Sequence, residues 1–149
     1  PGLFGENLRV RGPVDDAEIG ERWRVGDLLE VEVTGPRTPC ATFARWLGQK
    51  GWVARYARRA RPGVYLRVVV PGPVESGAEV TVLDRPGHGV SVARWFAEQD
   101  PADARTLLEA HAAGRLSLAP YLLPYVERAA RRGEVGPTGG AVGADGDTE

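Results

Sequence analysis

One side chain in this 149-residue sequence is both a ready nucleophile and a soft metal donor: Cys40, the only cysteine. It closes the run Gly35-Pro36-Arg37-Thr38-Pro39-Cys40, in which two prolines stiffen the backbone and fix where the thiol points. Arg37, three residues earlier, favours the thiolate electrostatically if it faces the same side. The thiolate is the form that both nucleophilic attack and soft-metal ligation require. The competing reading of a lone cysteine is a small buried hydrophobe. A single cysteine excludes an internal disulfide and any multi-cysteine zinc or iron–sulfur cage. Only His88 and His111 could assist a metal, and both lie far from Cys40 in sequence. His88, among Gly and Pro, reads as a turn residue; His111 reads as a favourable charge at a helix C-terminus.

Charge is distributed unevenly. The whole chain carries a formal −1, yet residues 41–70 hold Arg45, Lys50, Arg55, Arg58, Arg59, Arg61 and Arg67 with no acid among them. Such a stretch implies an anionic ligand or partner, or else a solvated arginine-rich face. Arg55, Arg58 and Arg59 read first as solvated, with the entrance for an anionic substrate as the alternative. No apolar run reaches the length of a membrane span, and no export signal opens the chain. Methionine is absent and Pro1-Gly2-Leu3-Phe4 reads as mid-domain sequence, so the expectation is a chain lacking its natural N-terminus.

The elements that must position Cys40 are mostly short strands. Leu8–Val10, Leu29–Val33, Tyr65–Val70 and Val80–Leu83 carry strand patterns between Gly and Pro turns, favouring a small barrel or sandwich. One helical insertion is expected over Ala41–Tyr56, weakened by Gly48 and Gly51. Asp84–Gly89 has linker composition. Beyond it, helices are expected over Ser91–Glu98, from Asp100-Pro101 to near Gly114, and from a Ser117 cap to Gly133, the last with a kink at Pro124. The expected organisation is a barrel domain over 1–85, a three-helix module over 90–133 and a disordered tail over 134–149.

Four motifs in register carry a family resemblance. Phe4-Gly5-Glu6-Asn7-Leu8, then Ile19 to Asp27, then Pro36-Arg37-Thr38-Pro39-Cys40, then Arg61 to Val68 resemble the MOSC domain family, and most closely its YiiM-type subgroup. Leu116-Ser117 is similar to the head of that subgroup's final helix, so the resemblance spans roughly residues 3 to 132. It implies a mainly β fold: a MOSC-type β-barrel, incomplete at its N-terminus, followed by a three-helix module. The family's upstream strands and its further basic and histidine-containing segments are not in this sequence.

The resemblance also implies binding of the molybdenum cofactor, with Cys40 as metal ligand and catalytic residue. Arg37 and Arg67 are candidates for the pterin phosphate, because guanidinium groups bind phosphate bidentately. Asn7 could hydrogen-bond the pterin or position the Cys40 loop, or simply bond its own turn; Glu6 carries the same ambiguity. Molybdenum-ion and pyridoxal phosphate binding come with the family-level resemblance too.

The implied activity is a cytoplasmic oxidoreductase that reduces N-hydroxylated compounds, such as hydroxylated base analogues. No flavin or nicotinamide fingerprint is present, so electrons would come from a separate reductase. One alternative is a sulfur carrier using a Cys40 persulfide. Another is a nucleic-acid-binding helical module, which zero net charge over residues 101–130 argues against. Trp95, Tyr121 and Tyr125 instead offer aromatic surface for packing on the barrel or on a second subunit of a homodimer.

Overall fold

The computed structural model describes residues 5–132. The expected tail, 134–149, and Phe4 of the first motif lie outside them. Four strands, β1 (Arg22–Val25), β2 (Leu29–Pro36), β3 (Val64–Val70) and β4 (Val80–Asp84), form one antiparallel sheet in the order β3-β2-β1-β4. Alternation sets its two faces. Leu29, Val31 and Val33 of β2 point into the core with Trp23 and Val25 of β1. On the other face Glu30 bridges Arg22 at 3.1 Å and Arg24 at 2.9 Å, and Glu32 holds Arg67 of β3 at 2.6 Å. Across-strand charge pairs of this kind fix register more than they add stability.

Five α-helices accompany the sheet among the described residues: α1 (Ala41–Leu47), α2 (Trp52–Arg59), α3 (Val92–Glu98), α4 (Pro101–Ala112) and α5 (Leu123–Arg132). Helix outweighs strand, so the mainly β expectation is matched only roughly, and the sheet is open rather than closed, with β3 and β4 at its edges. Leu8–Val10 forms no strand: the edge of β1 is already occupied by β4. The expected single helix over Ala41–Tyr56 is two, because Gly48 and Gly51 both adopt left-handed φ, at +63° and +68°. Ser91 and Asp100 cap α3 and α4 as their types dictate, accepting from Arg94 N at 3.2 Å and Ala102 N at 2.7 Å. Ser117 caps nothing. Pro120 biases Ala119 away from helical backbone, so α5 starts later, and Pro124 falls in its first turn, where it causes no kink.

The composition of Asp84–Gly89 suggested a free linker, but the segment is tied down. Glu18 accepts from Gly87 N at 2.7 Å and from Gly89 N at 3.1 Å, and His88 Nε2 meets Ile19 O at 2.7 Å. His111 bridges to Leu116 O at 3.2 Å, so it joins α4 to the next loop rather than only decorating a helix end. Buried residues of the sheet, of α3 to α5 and of the loop before α5, including Trp23, Val33, Trp95, Leu107, Leu122 and Val126, form one cluster.

Candidate functional site

Where β2 ends, four segments converge. Arg37 N donates to Gly63 O at 3.1 Å, and Gly63 N donates to Asp15 Oδ1 at 2.6 Å. Asp15 sits in the 3-10 turn Val14–Asp16, is buried, and also lies 3.8 Å from Arg61. From α2 the Tyr56 hydroxyl donates to Pro62 O at 2.5 Å, with Arg37 O at 3.4 Å. Each bond satisfies a backbone group at a strand end, where the sheet ladder no longer does.

Around this junction opens a depression of about 610 Å³, lined by Glu6, Asp15, Arg37, Tyr56, Arg59 and Arg61 with the Pro62-Gly63 turn. Three guanidinium groups against two carboxylates leave it electropositive, and Asp15 is already occupied by Gly63 N and Arg61. Burial pushes Tyr56 up to about 12; Arg37 opposes that shift, and Tyr65 and Asp15 add to it. At neutral pH Tyr56 is therefore a neutral phenol that donates. A depression of similar volume, about 660 Å³, lies by the β1–β2 turn, but its one arginine, Arg24, is paired with Glu30, and carboxylates Asp27, Glu75 and Glu79 line it. It has no thiol.

Cys40 is exposed, not packed into hydrocarbon. Its backbone is extended, and its Sγ caps α1 by accepting from Phe43 N at 3.3 Å. The Arg37 guanidinium lies 5.1 Å from the centre of the Phe43 ring, so both ends of the Pro-stiffened loop meet Phe43, Cys40 at its backbone N–H and Arg37 at its ring. From Phe43 an aromatic ladder runs through Trp52 (4.7 Å) and Tyr56 (5.0 Å) to Phe96 of α3 (5.9 Å), fastening α1 and α2 to the body.

The structure brings Arg37 and Glu6 to one depression and sets Cys40 three residues from Arg37 on the same loop. It places the other two candidates elsewhere. Asn7 lines a separate hollow against residues 74–78, and Arg67 lies on the outer sheet face, bound to Glu32 at 2.6 Å. Sequence reasoning missed Asp15 and Tyr56. The Pro62-Gly63 turn was legible, but its acceptor Asp15 stands 48 residues away, and no local pattern announces such a pair.

The pattern of the MOSC domain family matches residues 1–81. The chain belongs to the MOSC domain family. Its fold is that of two YiiM crystal structures: the Geobacillus stearothermophilus protein superposes with a TM-score of 0.71 at 24% identity, covering 86% of this chain and 66% of that one. The Escherichia coli protein gives 0.71 at 21% identity, covering 89% and 66%. In sequence, YflK of Bacillus subtilis (strain 168) is 37% identical over 90 residues, 60% of this chain and 40% of YflK. A protein of Gibberella moniliformis named Reductase is 31% identical over 86 residues, 57% of this chain and 15% of that one. The chain thus spans well under half the length of these two relatives. No helix among the described residues is long and apolar enough to cross a membrane.

The residues present suit a molybdenum cofactor in kind. An accessible thiol provides a soft donor, and neighbouring guanidinium groups provide phosphate donors. Pyridoxal phosphate fits less well: the only lysine, Lys50, is exposed between α1 and α2 and is in the lining of neither depression described above, so nothing there shelters a Schiff base.

Proposed function

We propose that this MOSC chain holds the molybdenum cofactor of a reductase acting on N-hydroxylated compounds, hydroxylated base analogues among them. The observation that carries the reading is the accessible Cys40 thiol on the same stiffened loop as Arg37, which lines a guanidinium-rich depression. The family and the relative named Reductase support it. Bound here, the cofactor would supply a metal that accepts oxygen and passes electrons. Cys40 would hold the metal through sulfur; Arg37, Arg59 and Arg61 would face the pterin phosphate; Glu6, which as a carboxylate only accepts, would take pterin N–H groups. Tyr56 holds the Pro62 carbonyl in place as a donor. The reading rests on neither Asn7 nor Arg67.

The net change is R–NHOH plus two electrons and two protons giving R–NH2 and water, with the electrons delivered by a separate reductase in the cytoplasm. Molybdenum content of the full protein tests the ligand role. Cys40→Ser keeps an N-cap acceptor for α1 and removes the soft donor, so it is expected to melt like the wild type while losing molybdenum. Cys40→Ala is expected to lose both the metal and the cap. Equal molybdenum in all three proteins overturns the proposal. A Cys40 persulfide, seen as a gain of about 32 Da confined to this residue after incubation with a sulfur donor, would favour the sulfur-carrier alternative.

A further inference from the structure

The α1–α2 hairpin gathers five cations within residues 41–60 with no carboxylate among them, a density that the scattered unpaired arginines elsewhere, such as Arg105 and Arg115, do not reach. Arg22, Arg24, Arg61, Arg67, Arg85 and Arg94 each have a carboxylate partner. Arg45, Lys50, Arg55 and Arg58, with Arg59 at the edge of the Arg37 depression, are all exposed, and among the described residues none of them is in an ion pair. Their polar contacts are neutral: Arg45 with the Thr42 hydroxyl, Arg55 with Lys50 O at 2.9 Å and Gln49 Oε1 at 2.8 Å. Amid these cations Trp46 is 66% exposed and Val53 40% exposed, while Phe43 and Trp52 turn into the aromatic ladder. Exposed tryptophan beside arginine is the composition of a protein-binding hot spot.

We propose that this hairpin is the docking face for an acidic electron-donating protein. The inference rests on the reductase reading, which requires electrons from outside the chain. Cys40 caps α1, so a partner seated on the hairpin stands next to the proposed metal ligand. Size points the same way. Helices of seven and eight residues offer a face only about 10–12 Å long, enough for the small, transient encounters typical of redox partners and too little for a permanent complex. Bare cations accelerate such encounters by steering. A nucleic acid would need a longer cation track, yet the segments on either side, residues 1–40 and 71–100, are each net acidic. An anionic membrane would need a continuous apolar helix face, and the hairpin turns its other large aromatics inward.

The test uses the cofactor-loaded full protein and a small acidic flavodoxin-type protein as probe. Binding is measured at low and at about 150 mM salt for the wild type, Arg45→Glu/Lys50→Glu/Arg58→Glu, the corresponding triple glutamine variant, and Trp46→Ala. At low salt the charge reversal is expected to weaken binding at least ~10-fold and the glutamine variant by less, with α-helical circular dichroism unchanged in both. Turnover driven by reduced methyl viologen, which needs no docking, is expected to be the same in wild type and variants, while flavodoxin-driven turnover falls with affinity. Unchanged flavodoxin affinity in the charge reversal overturns the proposal. So does tighter wild-type binding to duplex DNA or to phosphatidylglycerol vesicles than to the flavodoxin. A wild type inactive with viologen removes the reductase reading instead, and the binding arm still decides the surface.

Discussion

At the scale of single residues, Tyr56 has the most to do. Its hydroxyl gives its one proton to Pro62 O at 2.5 Å, with Arg37 O farther off at 3.4 Å, and its ring links α2 to Phe96. Burial pushes it up to about 12, so the folded protein binds this proton more tightly than the unfolded chain does. The sign follows: its contribution is complete below about pH 10 and is lost as pH rises from about 10 towards about 12. Burial raises Tyr121 as well, despite its contact with Thr34, so two tyrosines should ionise late in an absorbance titration. Tyr56→Phe is expected to remove one late step and to flatten the fall in melting temperature above pH 10, at the cost of lower stability at neutral pH, where Pro62 O loses its donor. An unaltered alkaline slope in that variant would contradict this role. Nothing in the sequence announces Tyr56. It occurs at the end of an amphipathic run, and its partners come from a loop and a strand end that only folding brings near. Cys40 and Arg37 were legible because a proline-framed loop after an alternating strand is a local pattern.

Elements were readable wherever local chemistry dominates. The alternation in Leu29–Val33, the Ser91 cap and the Asp100-Pro101 start all survive in the structure, because each is decided within a few residues. Errors arose where tertiary contacts decide. β1 is too short to show a period, and it exists because β2 and β4 flank it. The start of α5 is delayed because Leu118 and Ala119 are used as buried loop. The joint between β2 and the turn that leads into α5 gives a measurable consequence. A register shift at Val33/Gly35 bends the strand, Gly35 adopts φ +143°, and the Tyr121 hydroxyl lies 2.9 Å from where a Cβ would sit. That hydroxyl approaches the Thr34 hydroxyl at 3.4 Å, and the Tyr121 ring meets Tyr65 edge-on. Gly35→Ala therefore adds both backbone strain and a clash, and is expected to cost about 1–3 kcal/mol in chemical denaturation. Adding Tyr121→Phe removes the clashing oxygen but not the strain, so part of that loss should return. Full recovery would show that the clash alone matters.

For the molecule as a whole, the question is whether sheet and helices hold together as one unit. Trp23 and Val33 from the sheet share a buried cluster with Trp95, Leu107 and Val126 from the helices. The Asp84–Gly89 crossing is held by Glu18, and the buried Glu21 carboxylate takes Trp23 Nε1 at 2.8 Å with Arg85 3.4 Å away. Removing either half would expose the apolar face of the other, so partial unfolding is costlier than its own lost contacts. Tryptophan fluorescence and helical circular dichroism should therefore report one coincident transition. Leu107→Ala, which truncates a fully buried side chain on α4, is expected to cost about 2–5 kcal/mol. Because the cluster is shared, that variant should shift both signals equally, although Trp23 lies in the sheet. A helical signal that melts ahead of the fluorescence would mean that the two layers are separately stable. The Glu18–Glu21 region would then be a hinge between them, and the depression by Arg37, whose lining includes no residue of α4 or α5, would outlast the loss of those two helices.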